Sequence, residues 1–175
     1  MLFEVLDAKS KRKRREKSWL CIIMHHTSIG SRKTVDESTW AKLGRNITDY
    51  LVKNDSYVSA HYTIWRDGKI SMLVDPDTHE AFHAGKSSCY NPYSQSMITD
   101  LNRYSIGIEL IGDGNTMDFS NEQYNSSIKL IKFLCDKYTT IHPQLITGHE
   151  FVSPGRKTDP GKLFDWARLF KGIFT

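Results

Sequence analysis

"YSIGIELIG", residues 104–112, alternates with a period of two: Ile106, Ile108 and Leu110 fall on one face, Ser105, Gly107 and Glu109 on the other. The stretch predicts a central strand, and Glu109 then points away from its apolar neighbours. Working outward, "WLCIIMHH" (19–26) is a short apolar run with β-branched residues that closes in the loop signal "TSIGS", which predicts a second buried strand. "AHYTIWRDGKISMLV" (60–74) holds two strand-like runs around Asp67-Gly68, the signature of a type I′ hairpin. "PQLITGH" (143–149) reads as the last strand. Between them, Trp40, Leu43, Ile47, Tyr50 and Leu51 recur at three and four within 36–53 and give one helical face. Ser120 followed three residues later by Gln123 predicts a capping box, with Tyr124, Ile128, Ile131, Leu134 and Cys135 continuing a helix to about Tyr138. "KLFDWARLF" predicts a short C-terminal helix with Leu163, Trp166, Leu169 and Phe170 inward. Interleaved strands and helices predict an α/β fold, a central mixed β-sheet flanked by helices.

A chain of 175 residues suits one core. Its composition, 39% hydrophobic and 25% charged, is that of an ordinary globular protein, and no apolar run approaches the roughly 18 residues of a spanning helix. Three widely spaced cysteines argue against a disulfide framework or a Cys-rich zinc site and for reduced, cytosolic thiols. Seven basic residues crowd into "KSKRKRREK" (9–17), but the apolar stretch that follows at 19–24 runs straight into two histidines, so no export signal is read. The organisation expected is a basic N-terminal segment, 1–18, ahead of a catalytic domain, 19–175. The basic segment admits a nucleic-acid arm or an anionic-surface contact. No aromatic residue interleaves the charges, which favours a solvated segment before the first strand.

The chemistry concentrates in "ITGHEFVSPGRKTDPG" (146–161). Two Pro-Gly pairs mark loops, but His149, Lys157 and Asp159 are not turn formers' company. His25 closes another apolar run, and strand ends are where rigid elements hold side chains while loops admit a substrate. Two imidazoles and a carboxylate make a set for Zn²⁺ with the fourth position open to water. Asp159 is the natural third ligand. On spacing alone His26, His61, His79, His83 and His142 remain open as partners; His79 and His142 lie in turn-like polar contexts.

In order along the chain, "IIMHHTS", "SAHYTIWRDGKI", "HAG", "YSIGIELIG", "ITGHEFVSPGRKTDPG" and "FDWARL" resemble the zinc-dependent N-acetylmuramoyl-L-alanine amidases of type 2. That family includes phage endolysins, cytoplasmic amidases of cell-wall recycling and animal peptidoglycan recognition proteins. The resemblance runs from about Trp19 to Phe170. It implies that His25, His149 and Asp159 hold zinc, with Glu109 as general base and Lys157 stabilising the oxyanion. His26, beside the ligand but on the opposite face of its strand, is left to the substrate groove with His61 and His83; His61 stands where some phage members carry tyrosine. The implied reaction is hydrolysis of the amide between muramic acid and L-alanine of the stem peptide, on peptidoglycan or muropeptide. A single small domain with a basic arm suits a lysin attacking an anionic wall, made in the cytoplasm and released; a recycling amidase and a non-catalytic binding module are the alternatives. At least one phage amidase of this fold also partners an RNA polymerase, which keeps nucleic acid or polymerase as a less favoured partner of residues 9–17. A monomer is the default.

Overall fold

The structure is a computed structural model that describes residues 3–16, 18–27, 37–53 and 57–175, the side chains of 37–41 and 43 excepted. The "TSIGS" loop beyond Thr27 and the side chains of Trp40 and Leu43 lie outside the described residues. In chain order the elements are β1 (Glu4–Val5), β2 (Lys11–Lys13), β3 (Cys21–Thr27), α1 (Glu37–Lys53), β4 (Tyr62–Ile64), β5 (Ile70–Met72), β6 (His79–Ala81), β7 (Ser88–Asn91), β8 (Ser96–Thr99), β9 (Ser105–Ile111), α2 (Asn121–Lys137), β10 (Ile146–Gly148), α3 (His149–Val152) and α4 (Trp166–Phe174). Six strands form the main sheet in the order β1-β5-β4-β9-β3-β10, and only the β4–β5 pair is antiparallel. The expected mixed sheet flanked by helices is therefore what the chain adopts.

Strand β9 is central because its two faces do different work. Ile106, Ile108 and Leu110 enter the main core with Ile22 and Met24 of β3, Leu130, Ile131 and Leu134 of α2, and Leu169 of α4. Each such side chain fully buried contributes about 1.5–3 kcal/mol. On the other side, Cys21 and Ile23 pack with Ala84, Leu101 and Val152, while Leu51 of α1 joins Leu73, Val74 and Ala81. A sheet covered on both faces explains why β3 reads as an unbroken apolar run. Helix α2 starts at the predicted capping box: Ser120 Oγ accepts from the Gln123 N–H at 3.0 Å, and Gln123 Oε1 accepts from the Ser120 N–H at 3.1 Å. The Gln123 amide then donates to Ile64 O and Ile111 O, tying the helix to the ends of β4 and β9.

Four expectations change. The hairpin around Asp67-Gly68 is longer than a type I′ turn: Ile64 pairs with Ile70, Gly68 N–H donates to Trp65 O, and Trp65 N–H donates to Lys69 O. Gly68 has φ +82° but Asp67 is not in the left-handed region, whereas type I′ needs both central residues there. Anchors from α2 hold this wider loop, since Ser120 Oγ donates to Arg66 O and Ser126 Oγ to Gly68 O, both at 2.6 Å. The "PQLITGH" segment is strand only at Ile146–Gly148; a 3₁₀ turn precedes it and His149 opens α3. Leu163 is exposed, and Phe164 takes the inward place ahead of α4.

The basic segment is not merely solvated. Strand β2 pairs antiparallel with β6, setting Arg12 opposite Glu80, and the Glu80 carboxylate, fully buried, accepts from Arg12 Nε at 2.7 Å and from the Arg15 N–H at 3.0 Å. Arg14 lies 4.2 Å over the Trp19 ring and donates to Pro76 O; Lys11 pairs with Asp7. With β1 forming the edge of the main sheet beside β5, packing shows no break at residue 18. The three cysteines are free thiols, and no helix among the described residues is long and apolar enough to cross a membrane.

Candidate active site

Parallel pairing brings the site together at one end of the sheet. β3 and β9 are in register with His25 opposite Glu109, so the last turn of each strand presents its polar residue beside the other's. β10 pairs with the far edge of β3, and its end delivers His149 at the start of α3. The following loop turns back so that the Glu150 N–H donates to Asp159 O at 2.9 Å. Gly161, at φ +96°, sits against Gly114 so closely that a Cβ would collide with its backbone, and the 113–115 and 158–161 loops thereby interlock.

Three ligand atoms converge. His25 Nδ1 lies 3.0 Å from His149 Nδ1 and 2.8 Å from Asp159 Oδ2, and His149 Nδ1 lies 3.0 Å from the same oxygen. All three residues are buried, at 1%, 2% and 8% exposure. Two imidazoles and a carboxylate form the three-ligand set of a catalytic zinc site, and their separations are slightly inside the ~3.3 Å edge of a tetrahedron with bonds of about 2 Å. His25, His149 and Asp159 are the group of His, Cys, Asp and Glu among the described residues whose geometry could hold a metal ion.

Beside them a cavity of about 330 Å³ is lined by His25, His26, Val58, His83, Glu109, Asn115, His149, Arg156, Lys157, Thr158 and Asp159. Glu109 Oε2 is buried there with no hydrogen-bond partner. Burial first, and the Asp159 charge second, push its carboxyl up to about 8 against the opposing pull of Lys157. A buried carboxyl oxygen without a partner beside three convergent ligand atoms fits the donor set of a metal centre. His25 is held down to about 4 by burial, with Asp159 opposing.

The structure sorts the expected residues. His25, His149, Asp159, Glu109 and Lys157 meet in one cavity, with Lys157 exposed at its rim. His61 does not reach it: the ring is fully buried, accepts from the Gly107 N–H at 3.0 Å and stands edge-on to Trp19 at 5.1 Å, so a substrate-binding role is corrected. His83 borders the cavity, but both ring nitrogens are engaged by the protein, at 2.9 Å from His25 Nε2 and 3.2 Å from Ser105 O. His26, 9% exposed, lies with Nδ1 3.0 Å from both Gly114 N and Pro160 O and bridges the two interlocked loops. Sequence reasoning passes over Arg156, whose Nη2 donates to Ala84 O, Lys86 O and Ser153 Oγ at 2.7–2.9 Å. The signal is its place directly before Lys157, where a second cation at the site is easily taken for loop polarity. Arg156 also walls a neighbouring cleft of about 790 Å³ with Lys86, Ser87, Ser88, Thr99 and Asp100.

With this geometry in view, a family profile described as N-acetylmuramoyl-L-alanine amidase matches residues 15–162. The chain belongs to the N-acetylmuramoyl-L-alanine amidase family. Among amidases it is similar to the 1,6-anhydro-N-acetylmuramyl-L-alanine amidase AmpD of Haemophilus influenzae, 32% identical over 157 residues that cover 87% of this chain and 81% of that protein. Against two other AmpD proteins, of Escherichia coli and Citrobacter freundii, it spans 56% and 58% of their lengths. An AmpD crystal structure superposes with a TM-score of 0.77 at 28% identity, covering 98% of this chain and 94% of that one. The amidase AmiD of E. coli, solved with anhydro-N-acetylmuramic acid-L-Ala-D-gamma-Glu-L-Lys, gives a TM-score of 0.65 at 27% identity over 92% of this chain and 61% of its own.

Proposed function

We propose that this amidase cleaves the amide joining muramic acid to L-alanine in soluble 1,6-anhydro muropeptides, as a recycling enzyme, with zinc held by His25, His149 and Asp159. The observation that carries the chemistry is the convergence of those three ligand atoms beside the unpartnered Glu109 carboxyl. The choice of substrate rests on the relatives: the AmpD proteins are named as 1,6-anhydro-N-acetylmuramyl-L-alanine amidases, and AmiD was solved with an anhydro compound. These relatives favour recycling over the expected lysin, and with it over bacteriolysis. A complete ligand set argues against a binding module.

Zinc held by His25, His149 and Asp159 would supply Lewis acidity, enough to lower the pKa of a water to about 7. The chain does the rest. Glu109, lifted to about 8 by burial, has a proton affinity near the working pH, which suits a group that takes the attacking water's proton and returns it to the leaving amine. Lys157, an ammonium with three donors and no acceptor, stabilises the developing oxyanion. The cleft beyond Arg156 takes the stem peptide: γ-linked glutamate leaves a free α-carboxylate, which exposed Lys86 meets as a counter-charge. Lys86→Glu is expected to raise KM roughly fivefold with kcat held, the size of an exposed ion pair; equal KM values would remove Lys86 from recognition.

The deciding experiment is mass spectrometry of products from anhydro-muropeptide and from polymeric peptidoglycan, using untreated, chelated and zinc-restored protein beside Asp159→Ala. Free peptides beginning with L-alanine, released from the anhydro compound, lost on chelation and in the variant and regained with zinc, are expected. Faster cleavage of the polymer would return the lysin reading. Zinc binding with no cleavage of either would leave a binding module.

A further inference from the structure

The two histidines of the proposed metal centre can coordinate through Nδ1 only if each carries its proton on Nε2, and a neutral imidazole has one proton to place. What lies behind each ring decides the matter. Ser105 O, 3.2 Å from His83 Nε2, can only accept; Ser105 Oγ, 3.3 Å away, already donates its hydrogen to Leu101 O at 2.5 Å and so also accepts. His83 therefore bears its proton on Nε2 and presents a bare Nδ1. Its neighbour at 2.9 Å, His25 Nε2, must then donate, which leaves His25 Nδ1 bare and turned to His149 and Asp159. On the other side, His149 Nε2 lies 3.1 Å from Ala84 O, another pure acceptor. Arg156 Nη2, 3.3 Å from that nitrogen, donates to the same carbonyl at 2.7 Å instead, and an oxygen with two lone pairs serves both.

We propose that the dipeptide His83–Ala84 is the outer support of the metal centre, His83 a positioning residue that accepts from His25 while the Ala84 carbonyl accepts from His149, so that both rings aim a bare Nδ1 at one point. The inference rests on the zinc reading above. It explains the close quarters of three acceptors at 2.8–3.0 Å with no proton between them, an arrangement that a cation relieves. The support is itself gripped: Asn102 Oδ1 accepts from both the His83 and the Ala84 N–H, at 3.0 and 2.7 Å. Gly107 makes room for it, since a Cβ there would overlap the His83 ring. His61, bonded to the Gly107 N–H, braces the same ring edge-on at 5.6 Å.

The test is zinc affinity of the full chain, by competition with a chromogenic chelator at pH 7.5, for wild type, His83→Leu and His83→Asn, with thermal melts of the metal-free proteins alongside. The leucine variant is expected to bind zinc about 10–100-fold more weakly, the usual cost of losing an outer-shell partner. Asparagine, whose side-chain oxygen accepts near the Nδ1 position, is expected to restore most of the loss, which a purely space-filling role would not predict. Equal affinities for folded leucine and wild-type proteins overturn the proposal while leaving the zinc reading intact; a wild type that binds no zinc overturns both. If the leucine variant does not fold, ¹⁵N NMR of the zinc-loaded wild type decides: a coupling across the His25 Nε2–H···Nδ1 His83 bond is expected, and a proton on His83 Nδ1 refutes it.

Discussion

Exchanging Glu109 for glutamine is expected to lower kcat by about 10²–10⁴-fold, the range of general acid–base contributions, with zinc content and fold unchanged. Glutamine keeps the shape of the side chain but cannot take a proton. The contrast with the proposed metal ligands is the informative part: Asp159→Ala is expected to remove zinc and activity together, whereas the glutamine variant should retain the ion. The pH profile gives a second reading. Glu109 serves as base only when ionised, so the ascending limb of kcat/KM that belongs to it should vanish in the variant, leaving the low residual rate without that dependence. A variant that keeps more than a tenth of the activity would show that another group moves the proton, and Lys157 would be the next to examine.

The second large effect concerns the metal-free protein in mild acid. Burial lowers His25 to about 4 and His61 to about 3, from an ordinary 6.5, and holds His83 well below that value. Each ring stays neutral in the folded chain but gains a proton in the unfolded chain below 6.5, so their stabilisation is complete above 6.5 and is lost as pH falls toward 4. Glu109 works the other way: raised to about 8 from 4.5, it favours the folded state progressively as pH drops from 8 to 4.5. Between 6.5 and 4.5, three protons favour the unfolded chain against one for the folded, which gives a slope of roughly 3 kcal/mol per pH unit. Against a total stability of about 5–15 kcal/mol the loss over that interval is severe. Urea titrations of chelated protein at pH 8, 6.5 and 5 should show a shallow maximum near 6.5 and a steep fall at 5. Stability that is level or rising down to pH 5 would mean that the buried rings accept protons without cost.

The sheet was legible because its central strands have strict patterns. The alternation of Ile106, Ile108 and Leu110 places Glu109 on the face where the structure has it, and the run before His25 needs burial on both sides. The capping box at Ser120 is a local signal that nothing distant overrides. Strands β2 and β6 escaped because their pairing is decided by the buried Glu80 and the arginine facing it, a contact between residues 68 apart that leaves no periodicity behind. The site was legible in its residue types and its resemblance, but not in the division of labour among its histidines. His26, His61 and His83 look alike in a sequence. Only their surroundings distinguish a loop bridge, a buried brace and a partner of His25.

One feature of the topology bears on how the chain is made. β3 lies between β9 and β10, both synthesised much later, and the His25 it carries is 124 residues from His149 and 134 from Asp159. While only the residues up to β3 have emerged from the ribosome, His25 thus sits on a strand without its β9 and β10 neighbours, and the long-range pairings that position it must wait. On the zinc reading proposed above, no nascent chain short of residue 159 holds all three donors, so the set is completed in one step when Asp159 joins His25 and His149.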